Sequence, residues 1–389
     1  MPHVTREILT VNLIVLSSTK QEARIGDAEH MKIFIDILTP KQCLLFAKLS
    51  GRLRKDGHEV IEATRAYREV TELLRMKGIE AQVIGKHGGE TLPSKLTASI
   101  ERTLKLASII ADLQPDVVVS FSSPETARVA FGLGILHVCL NDSPHAEAVA
   151  RLTVPLATLL LTPKAIPKTA WTKYGISQEK IIQYRALDPW AWLKDLKPDE
   201  TILTQCGLEK NRPIVVFRTE ESFASYLLGK TAKTPLLLPL IEDLLDTGLD
   251  FQAVVLPRYE SQTQVLKEKL GKRAKICEST IDAPSLLYFA SVFVGAGGTM
   301  TTEAALMGIP TISCYPDKPF IVERYLISKG LVARETNMKR IKEKITHTLQ
   351  TIEIAKKTQR AKAEKLTKTF EDPINVIAKA VESIGKRQN

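Results

Sequence analysis

SVFVGAGGTMTTEAALMGIP, residues 291–310, combines an apolar run, a glycine-rich turn and a helix-forming segment. The apolar run predicts a buried strand, and the Ala/Leu/Met-rich segment predicts a helix that ends at Gly308 and Pro310. Three glycines separate the two elements. A strand that turns directly into a helix is typical of the parallel sheets of α/β proteins.

The glycine turn of this segment also predicts a binding site for phosphate groups. Glycines allow the backbone to come close to an anion, and the first N–H groups of the following helix point towards the same place with the positive end of the helix dipole. Gly297 and Gly298 stand at this turn, and Thr299 adds a hydroxyl donor. We therefore expect these three residues to hold a diphosphate.

Glu303 follows the turn by about one helical turn. A carboxylate there could accept hydrogen bonds from both hydroxyls of a ribose whose diphosphate lies on the turn. The alternative is an ordinary first-turn carboxylate that complements the helix dipole. The complete run, Gly-Gly-Thr-x-x-x-Glu-Ala-x-x-x-Gly-x-Pro after a buried strand, favours the nucleotide-sugar interpretation because it is more specific than a glycine spacing alone.

The same run resembles the donor-binding helix of the GT-B glycosyltransferases, including the lipid-II N-acetylglucosaminyltransferase, and of the non-hydrolysing UDP-N-acetylglucosamine 2-epimerases. The resemblance implies that Gly297, Gly298 and Thr299 hold the diphosphate and that Glu303 holds the ribose. The chain departs from the lipid-II enzymes in its first loop, which is LTPKQ at residues 38–42 rather than glycine-rich. The acceptor therefore does not follow from this resemblance.

A closer resemblance, from Met31 to about residue 350, is to the mainly archaeal DUF354 family of predicted glycosyltransferases. The segments that carry it, besides the glycine run, are MKIFIDILTP at 31–40, GHEV at 57–60, GKHGG at 85–89 and Asn-Asp at 141–142. It implies a GT-B fold, that is, an α/β protein with two doubly wound, Rossmann-like parallel-sheet domains that face each other across a cleft. Fold and chemistry are separable, so the resemblance defines the reaction only loosely.

The length and the strand–helix alternation predict two domains. A chain of 389 residues exceeds one ordinary core. The alternation begins at Met31 and restarts beyond about residue 190, so two similar units follow each other along the chain. The expected division is a poorly ordered extension over residues 1–30, an N-terminal acceptor domain over 31–187, a C-terminal donor domain over 188–350 and a basic helical tail over 351–389.

Several predicted elements of the two domains can be checked individually. In the first domain we expect a strand over Glu80–Ile84, a long helix over Leu92–Leu113 and a strand over Leu136–Leu140. In the second domain we expect a helix over Asp199–Leu208. Several of the expected strands end in polar residues, and ligands of doubly wound sheets bind beyond the carboxyl ends of their strands.

The formal net charge of +10 lies mostly in the residues from Lys339 to the end of the sequence. From Lys339 onwards there are thirteen Lys and Arg against six Asp and Glu, a net +7. This charge is either a solvated helix face or a means of contact with an anionic membrane surface. Nucleic-acid binding is excluded as the main interpretation because no basic and aromatic residues interleave. We expect a cytoplasmic protein, with contact to the inner membrane face through the tail as the alternative.

Neither disulfides nor a metal site are predicted. The five cysteines are odd in number and widely spaced, and no C-x-x-C pair occurs. No D-x-D motif and no cluster with metal-ligand spacing is present. We therefore expect no metal and no cofactor other than the nucleotide-sugar substrate, with helix N–H groups and cationic side chains stabilising the leaving diphosphate.

Two arginines follow the predicted strands of the second domain. Arg218 ends the first of these strands, and Arg258 follows the next one in a Pro-Arg pair. A guanidinium there could bind a diphosphate on the glycine turn. The alternative for Arg218 is an ion pair with Glu220 or Glu221.

The candidates for a general base lie in the first domain. Asp142 and His145 follow one predicted strand, and His87 stands in the glycine-rich loop GKHGG. An imidazole titrates near neutral pH and suits the deprotonation of an acceptor hydroxyl, although loop histidines are more often structural. Lys41, at the start of the first helix, could bind an anionic group of the acceptor, or the segment could simply begin the helix with Thr39 as its N-cap.

Together these features predict a glycosyltransferase that moves a sugar from a nucleoside-diphosphate sugar, most simply a UDP-sugar, to a hydroxyl of an unidentified glycan or lipid-linked acceptor. Two alternatives stay open. One is a non-hydrolysing UDP-N-acetylhexosamine 2-epimerase. The other is a non-catalytic subunit that binds nucleotide sugars or assembles at a membrane.

Overall fold

The computed structural model describes residues 30–89, 91–220 and 235–385. Within these ranges the chain forms two parallel β-sheets, each covered by helices on both faces. The expected extension at the N-terminus lies, except for His30, outside the described residues.

The N-terminal domain is built on a sheet that, in the described part of the chain, has seven parallel strands in the order β3-β2-β1-β4-β5-β6-β7. Its strands are β1 (Lys32–Ile37), β2 (Glu59–Ala66), β3 (Gln82–Lys86), β4 (Val117–Ser120), β5 (Leu136–Leu140), β6 (Leu159–Pro163) and β7 (Ile181–Tyr184). Its helices are α1 (Pro40–Lys55), α2 (Arg68–Met76), α3 (Leu92–Leu113), α4 (Pro124–Leu133), α5 (Glu147–Thr153) and α6 (Thr169–Thr172).

Two short helices, α7 (Trp190–Leu193) and α8 (Thr201–Gln205), lead into the C-terminal domain. Six parallel strands form its sheet among the described residues, in the order β10-β9-β8-β11-β12-β13. They are β8 (Ile214–Arg218), β9 (Gln252–Leu256), β10 (Ala274–Ile276), β11 (Val292–Gly295), β12 (Thr311–Ser313) and β13 (Ala333–Arg334). The helices are α9 (Leu238–Leu245), α10 (Glu260–Leu270), α11 (Ala283–Phe289), α12 (Thr299–Leu306), α13 (Ile321–Ser328), α14 (Met338–Gln350), α15 (Ile352–Thr367) and α16 (Pro373–Gly385).

Strand β1 shows why the first sheet is covered on both faces. Ile33 and Ile35 point into the core below α1, whereas Phe34 points into a second core with Leu106 and Ile110 of α3. Successive side chains of a strand alternate between its faces, so an unbroken apolar strand must be buried on both sides. Helix α16, the last described element, joins the first core, where Ile377 is fully buried, so it packs on the N-terminal domain.

The observed elements differ from the predicted ones in two instructive places. Strand β3 is shifted from Glu80–Ile84 to Gln82–Lys86, because it continues through Gly85 at φ +72° and pairs Lys86 with Ala66 after a register shift. The helix predicted over Asp199–Leu208 is shorter, since α8 ends at Gln205. The helix over Leu92–Leu113 and the strand over Leu136–Leu140 match the prediction.

Within the described ranges, every helix is too short or too polar to cross a bilayer.

Candidate active site

The glycine turn between β11 and α12 has the geometry that the sequence predicts. Gly297 and Gly298 have φ angles of +81° and +91°, a region that residues with a side chain rarely adopt. Helix α12 begins at Thr299, so its first N–H groups, which lack partners within the helix, open at this turn. The turn is thus shaped for the close approach of an anion.

The strand order of the second sheet brings both predicted arginines to this turn. Arg218 at the end of β8 pairs in register with Gly295 of β11. Its Nη1 donates to the carbonyls of Leu256 at 3.3 Å and Pro257 at 2.9 Å, which fixes the guanidinium at the strand ends. Nη2 of Arg258 lies 3.7 Å from the position that a Cβ on Gly298 would take.

The two acidic residues named as alternative partners of Arg218 are Glu220 and Glu221. Glu220 accepts hydrogen bonds from the backbone N–H of Leu236 at 3.2 Å with both carboxylate oxygens. Glu221 lies outside the described residues. The positive charge of the Arg218 guanidinium lowers the pKa of Glu303, another residue of the cleft.

Glu303 lies one turn into α12, and its side chain is almost completely buried. Trp192 of α7 donates its indole N–H to Oε1 of Glu303 at 2.8 Å. Burial raises the pKa of Glu303 to about 7, while the hydrogen bond from Trp192 works in the opposite direction. The sequence analysis missed Trp192. The sequence signal for it is the pair Trp190 and Trp192 in the segment between the two domains. A buried indole N–H requires a hydrogen-bond acceptor, so such a segment indicates a nearby carboxylate or carbonyl.

A cleft of about 880 Å³ separates the two domains, and the carboxyl ends of the strands of both sheets border it. The structure brings all the residues predicted for the site to the wall of this cleft. These residues are His87, Asp142 and His145 from the N-terminal domain and Arg218, Arg258, Gly297, Gly298, Thr299 and Glu303 from the C-terminal domain.

Asp142 lies on the N-terminal side of the cleft in an ion pair with Lys41. Burial acts to raise the pKa of Asp142, but the Lys41 ammonium outweighs it and holds the pKa below its usual value. Lys41 also pairs with the buried Asp188, and burial raises the pKa of Asp188 to about 6. The sequence suggested Lys41 as a binding residue for an anionic group of the acceptor. Two carboxylates already pair with Lys41, so little of its positive charge remains for such a group.

His145 bridges the two domains. Its ring stacks on Phe320 of the C-terminal domain, with centroids 3.5 Å apart and an angle of 11° between the planes. Burial lowers the pKa of His145 to about 4, although the nearby Asp142 works against this shift. The imidazole is therefore neutral at pH 7 and able to accept a proton, but it is a weaker base than an exposed histidine.

His87 is oriented by its own loop. The backbone N–H of Gly89 donates to Nδ1 of His87 at 3.2 Å, and the ring stacks on Tyr67 with centroids 4.9 Å apart. Burial, together with the positive charges of Arg65 and Lys95, lowers the pKa of His87 to about 4. In the neutral ring the accepting Nδ1 implies that Nε2 carries the proton, so Nε2 is a hydrogen-bond donor.

Among the described residues, no three His, Cys, Asp or Glu side chains come together in a way that could hold a metal ion. The five cysteines are all free thiols.

A family model described as "Protein of unknown function (DUF354)" matches residues 31–386. The chain belongs to the DUF354 family. A relative from Methanocaldococcus jannaschii, described as an uncharacterized protein, is 33% identical over 317 residues, which are 80% of this chain and 90% of the relative. The family and the part of the chain that carries it thus agree with the resemblance found in the sequence.

Solved structures similar to this DUF354 protein share its fold at low sequence identity. The UDP-GlcNAc 2-epimerase from Neisseria meningitidis bound to UDP-GlcNAc has a TM-score of 0.70 at 17% identity, covering 92% of this chain and 100% of that one. The epimerase from Methanocaldococcus jannaschii in complex with UDP-GlcNAc and UDP has a TM-score of 0.65 at 15% identity, covering 82% and 93%. Spinosyn forosaminyltransferase has a TM-score of 0.58 at 16% identity, covering 92% and 100%.

These similarities confirm the predicted fold class, an α/β protein of the GT-B type with two Rossmann-like domains. Because the group of similar structures includes both epimerases and a transferase, the fold leaves the choice between these reactions open.

Proposed function

We propose that this DUF354 protein is a glycosyltransferase that binds a nucleoside-diphosphate sugar, most simply a UDP-sugar, in the interdomain cleft. The observation that supports this most directly is the glycine turn before α12, which opens onto the cleft between two arginines and one helical turn ahead of a carboxyl group. Similar structures have been solved with UDP-GlcNAc or UDP bound.

In this proposal the C-terminal domain holds the donor. The N–H groups of Gly298 and Thr299 and the guanidinium groups of Arg218 and Arg258 contact the diphosphate, and Glu303 accepts from the ribose hydroxyls. Preorganised N–H groups and guanidinium groups stabilise the charge that develops on the leaving diphosphate. This arrangement makes no use of a divalent cation, so donor binding should be equal in EDTA and in magnesium.

The N-terminal domain supplies the base in the same proposal. Asp142 is held by Lys41 in an ionised, oriented state at the cleft wall, opposite the donor turn. It accepts the proton of the acceptor hydroxyl as that oxygen attacks the anomeric carbon. His145, neutral and stacked across the cleft, borders the same space. The acceptor is a hydroxyl-bearing glycan or lipid-linked sugar.

The proposal can be tested by thermal shift with a panel of nucleoside diphosphates and nucleotide sugars. A ligand at 100 times its dissociation constant should add about 2.7 kcal/mol to the free energy of unfolding. We expect UDP and UDP-sugars to raise the melting temperature. A flat response to every nucleotide in the panel would contradict the proposal.

Incubation with UDP-N-acetylglucosamine in the absence of an acceptor separates the two enzyme classes. A 2-epimerase would convert this substrate to its C2 epimer without any acceptor, whereas a transferase leaves it intact or hydrolyses it slowly. A non-catalytic subunit would bind the nucleotide sugar and show no turnover with any acceptor. NMR of the anomeric protons distinguishes these outcomes.

Replacing Gly298 with alanine should weaken UDP-sugar binding about tenfold, because a methyl group on the turn blocks the close approach of the diphosphate and strains the left-handed backbone. Gly134, which caps α4 at φ +70° with open space around it, provides the control. Gly134→Ala also places a side chain at a positive φ, with less strain because Gly134 is in the αL conformation, and it leaves the cleft unchanged, so its affinity in calorimetry should equal that of the wild type. Equal affinities for all three proteins would exclude the turn as the donor site.

A further inference from the structure

Glu323 of α13 is a cleft residue to which the proposed function gives no role. Only 6% of it is exposed, and neither of its carboxylate oxygens has a hydrogen bond of normal geometry among the described residues, although the side chain of Ser313 lies close enough to lower its pKa. A buried carboxyl without partners is unusual, because desolvation of such a group costs free energy that is normally recovered by hydrogen bonds. Its place in the cleft wall suggests that its partner is a ligand.

The position of Glu323 relative to the glycine turn narrows the choice of ligand group. Its Oε2 lies 2.9 Å from the point that a Cβ on Gly297 would occupy, so the carboxyl packs directly on the backbone of the turn. A side chain at position 297 would be strained by the φ angle of +81° and would also have to displace this carboxyl. A diphosphate held by this turn would therefore lie beside the Glu323 carboxyl.

Two anionic groups in contact inside a buried site repel each other strongly, so a diphosphate requires Glu323 in its protonated form. The charged and titratable groups around Glu323 do not remove this repulsion. Arg334 of β13 lowers the pKa of Glu323, but its guanidinium is directed to the carbonyls of Tyr315 and Asp317. The hydroxyl of Ser313 also lowers the pKa of Glu323, but burial outweighs both groups and raises it. The thiol of Cys314 lies close enough for Glu323 to raise the pKa of that thiol.

We propose that Glu323 is the acid of the reaction and passes its proton to the nucleoside diphosphate as it leaves. This assignment rests on the proposed function. The bond between the anomeric carbon and the β-phosphate oxygen breaks, and the Glu323 O–H proton moves to the diphosphate. The acceptor oxygen bonds to the anomeric carbon and gives its own proton to Asp142. Glu323 ends as a carboxylate and regains a proton from solvent after the product leaves.

The assignment predicts that binding of the donor fixes a proton on Glu323. Calorimetry of UDP-N-acetylglucosamine binding, repeated from pH 6 to 9 in buffers with different ionisation enthalpies, measures the protons taken up per complex. The wild type should take up more protons than Glu323→Gln, by up to one per complex, at the pH where free Glu323 is ionised. Glu323→Gln keeps the size and a hydrogen-bond donor, so its affinity should change less than about fivefold.

The thermal stability of the variant provides the structural control. Because glutamine keeps the size of the side chain and an oxygen that can accept from Ser313, and removes the cost of burying a charge, Glu323→Gln should melt at the same temperature as the wild type or higher. A large drop in melting temperature would indicate a structural role and overturn the proposal.

Two other outcomes would overturn this assignment while leaving the proposed function intact. One is an identical proton uptake by wild type and variant. The other is a variant that binds UDP normally but loses affinity for the UDP-sugar without a change in proton uptake, which would make Glu323 a receptor for a sugar hydroxyl. Failure of the wild type to bind any nucleotide or nucleotide sugar would instead contradict the proposed function itself.

Discussion

Replacing Arg102 with alanine should lower the free energy of unfolding by about 3–5 kcal/mol, the usual cost of leaving one partner of a buried ion pair alone. Arg102 of α3 is 1% exposed and donates to both carboxylate oxygens of Asp36, at 3.0 and 2.6 Å. Its Nε also donates to the carbonyl of Ile84 at 2.9 Å. Asp36 is fully buried at the end of β1, so the variant leaves a carboxylate without its counter-charge in the core. Denaturant unfolding followed by circular dichroism measures the loss.

The matched control is Arg151, which pairs with Glu147 on the surface of α5, where both side chains are more than 60% exposed. Arg151→Ala should change the free energy of unfolding by less than about 1 kcal/mol. Equal losses for Arg102→Ala and Arg151→Ala would show that the buried pair does not stabilise the domain.

The loss in Arg102→Ala should also depend on pH. Burial acts to raise the pKa of Asp36, but the charge and hydrogen bonds of Arg102 and the hydroxyl of Thr126 hold it below its usual value. The carboxylate of the wild type therefore stabilises the fold above pH 3.8, and this contribution disappears as the pH falls below that value. Without Arg102 the pKa of Asp36 rises, so the difference between the two proteins should be largest at neutral pH and shrink towards pH 4.

Replacing Glu303 with alanine should weaken the binding of a UDP-sugar by at least about 150-fold, because two hydrogen bonds from ribose to a carboxylate contribute about 1.5–3 kcal/mol each, or about 3 kcal/mol together at the lower end. Titration calorimetry measures this loss. Alanine also leaves the indole N–H of Trp192 without its acceptor, so the variant needs a stability control. Glu303→Gln keeps an oxygen for Trp192 and removes only the charge.

The pH dependence of the affinity tests the same residue. Since the pKa of Glu303 is about 7, its ionised fraction rises about tenfold between pH 6 and pH 8. If the ribose binds the ionised form of Glu303, the affinity for a UDP-sugar should rise about tenfold over this interval in a Glu323→Gln background, which lacks the proton uptake assigned to Glu323. The double variant Glu303→Gln, Glu323→Gln should lack this dependence. An affinity of Glu323→Gln that is constant from pH 6 to 8 would contradict the assignment of Glu303 to the ribose.

The geometry of the proposed donor side could be predicted from the sequence because it is local. The glycine turn, the helix start and the position of Glu303 lie within a few residues of each other, and their geometry follows from backbone rules. The two arginines followed from the position of strand ends, which periodicity identifies. The boundary of β3 could be predicted less well from the sequence, because a glycine ends a strand in one context and bends it through a bulge in another.

The ionisation states of the side chains in the cleft could not be predicted in the same way. Lys41 and Asp142 are 101 positions apart, and their pairing removes the free charge that the sequence suggested for Lys41. The ring of His145 stacks on Phe320 and burial lowers its pKa, so it is a weaker base than the sequence alone indicated. Glu323 was not predicted, because no local sequence pattern distinguishes a carboxyl that will be buried from the many that are solvated.

The sequence by itself determined the α/β class, the two-domain organisation suggested by the repeated alternation and the glycine turn before a helix at Gly297 and Gly298. Tertiary structure alone decided which carboxyls are charged. Asp36 is neutralised by Arg102, Glu303 is buried under Trp192, and Glu323 is buried against the turn. The physical reason is that backbone conformation depends mainly on neighbouring residues, whereas the charge of a side chain depends on burial and on partners that only the packing of distant segments brings within a few ångströms.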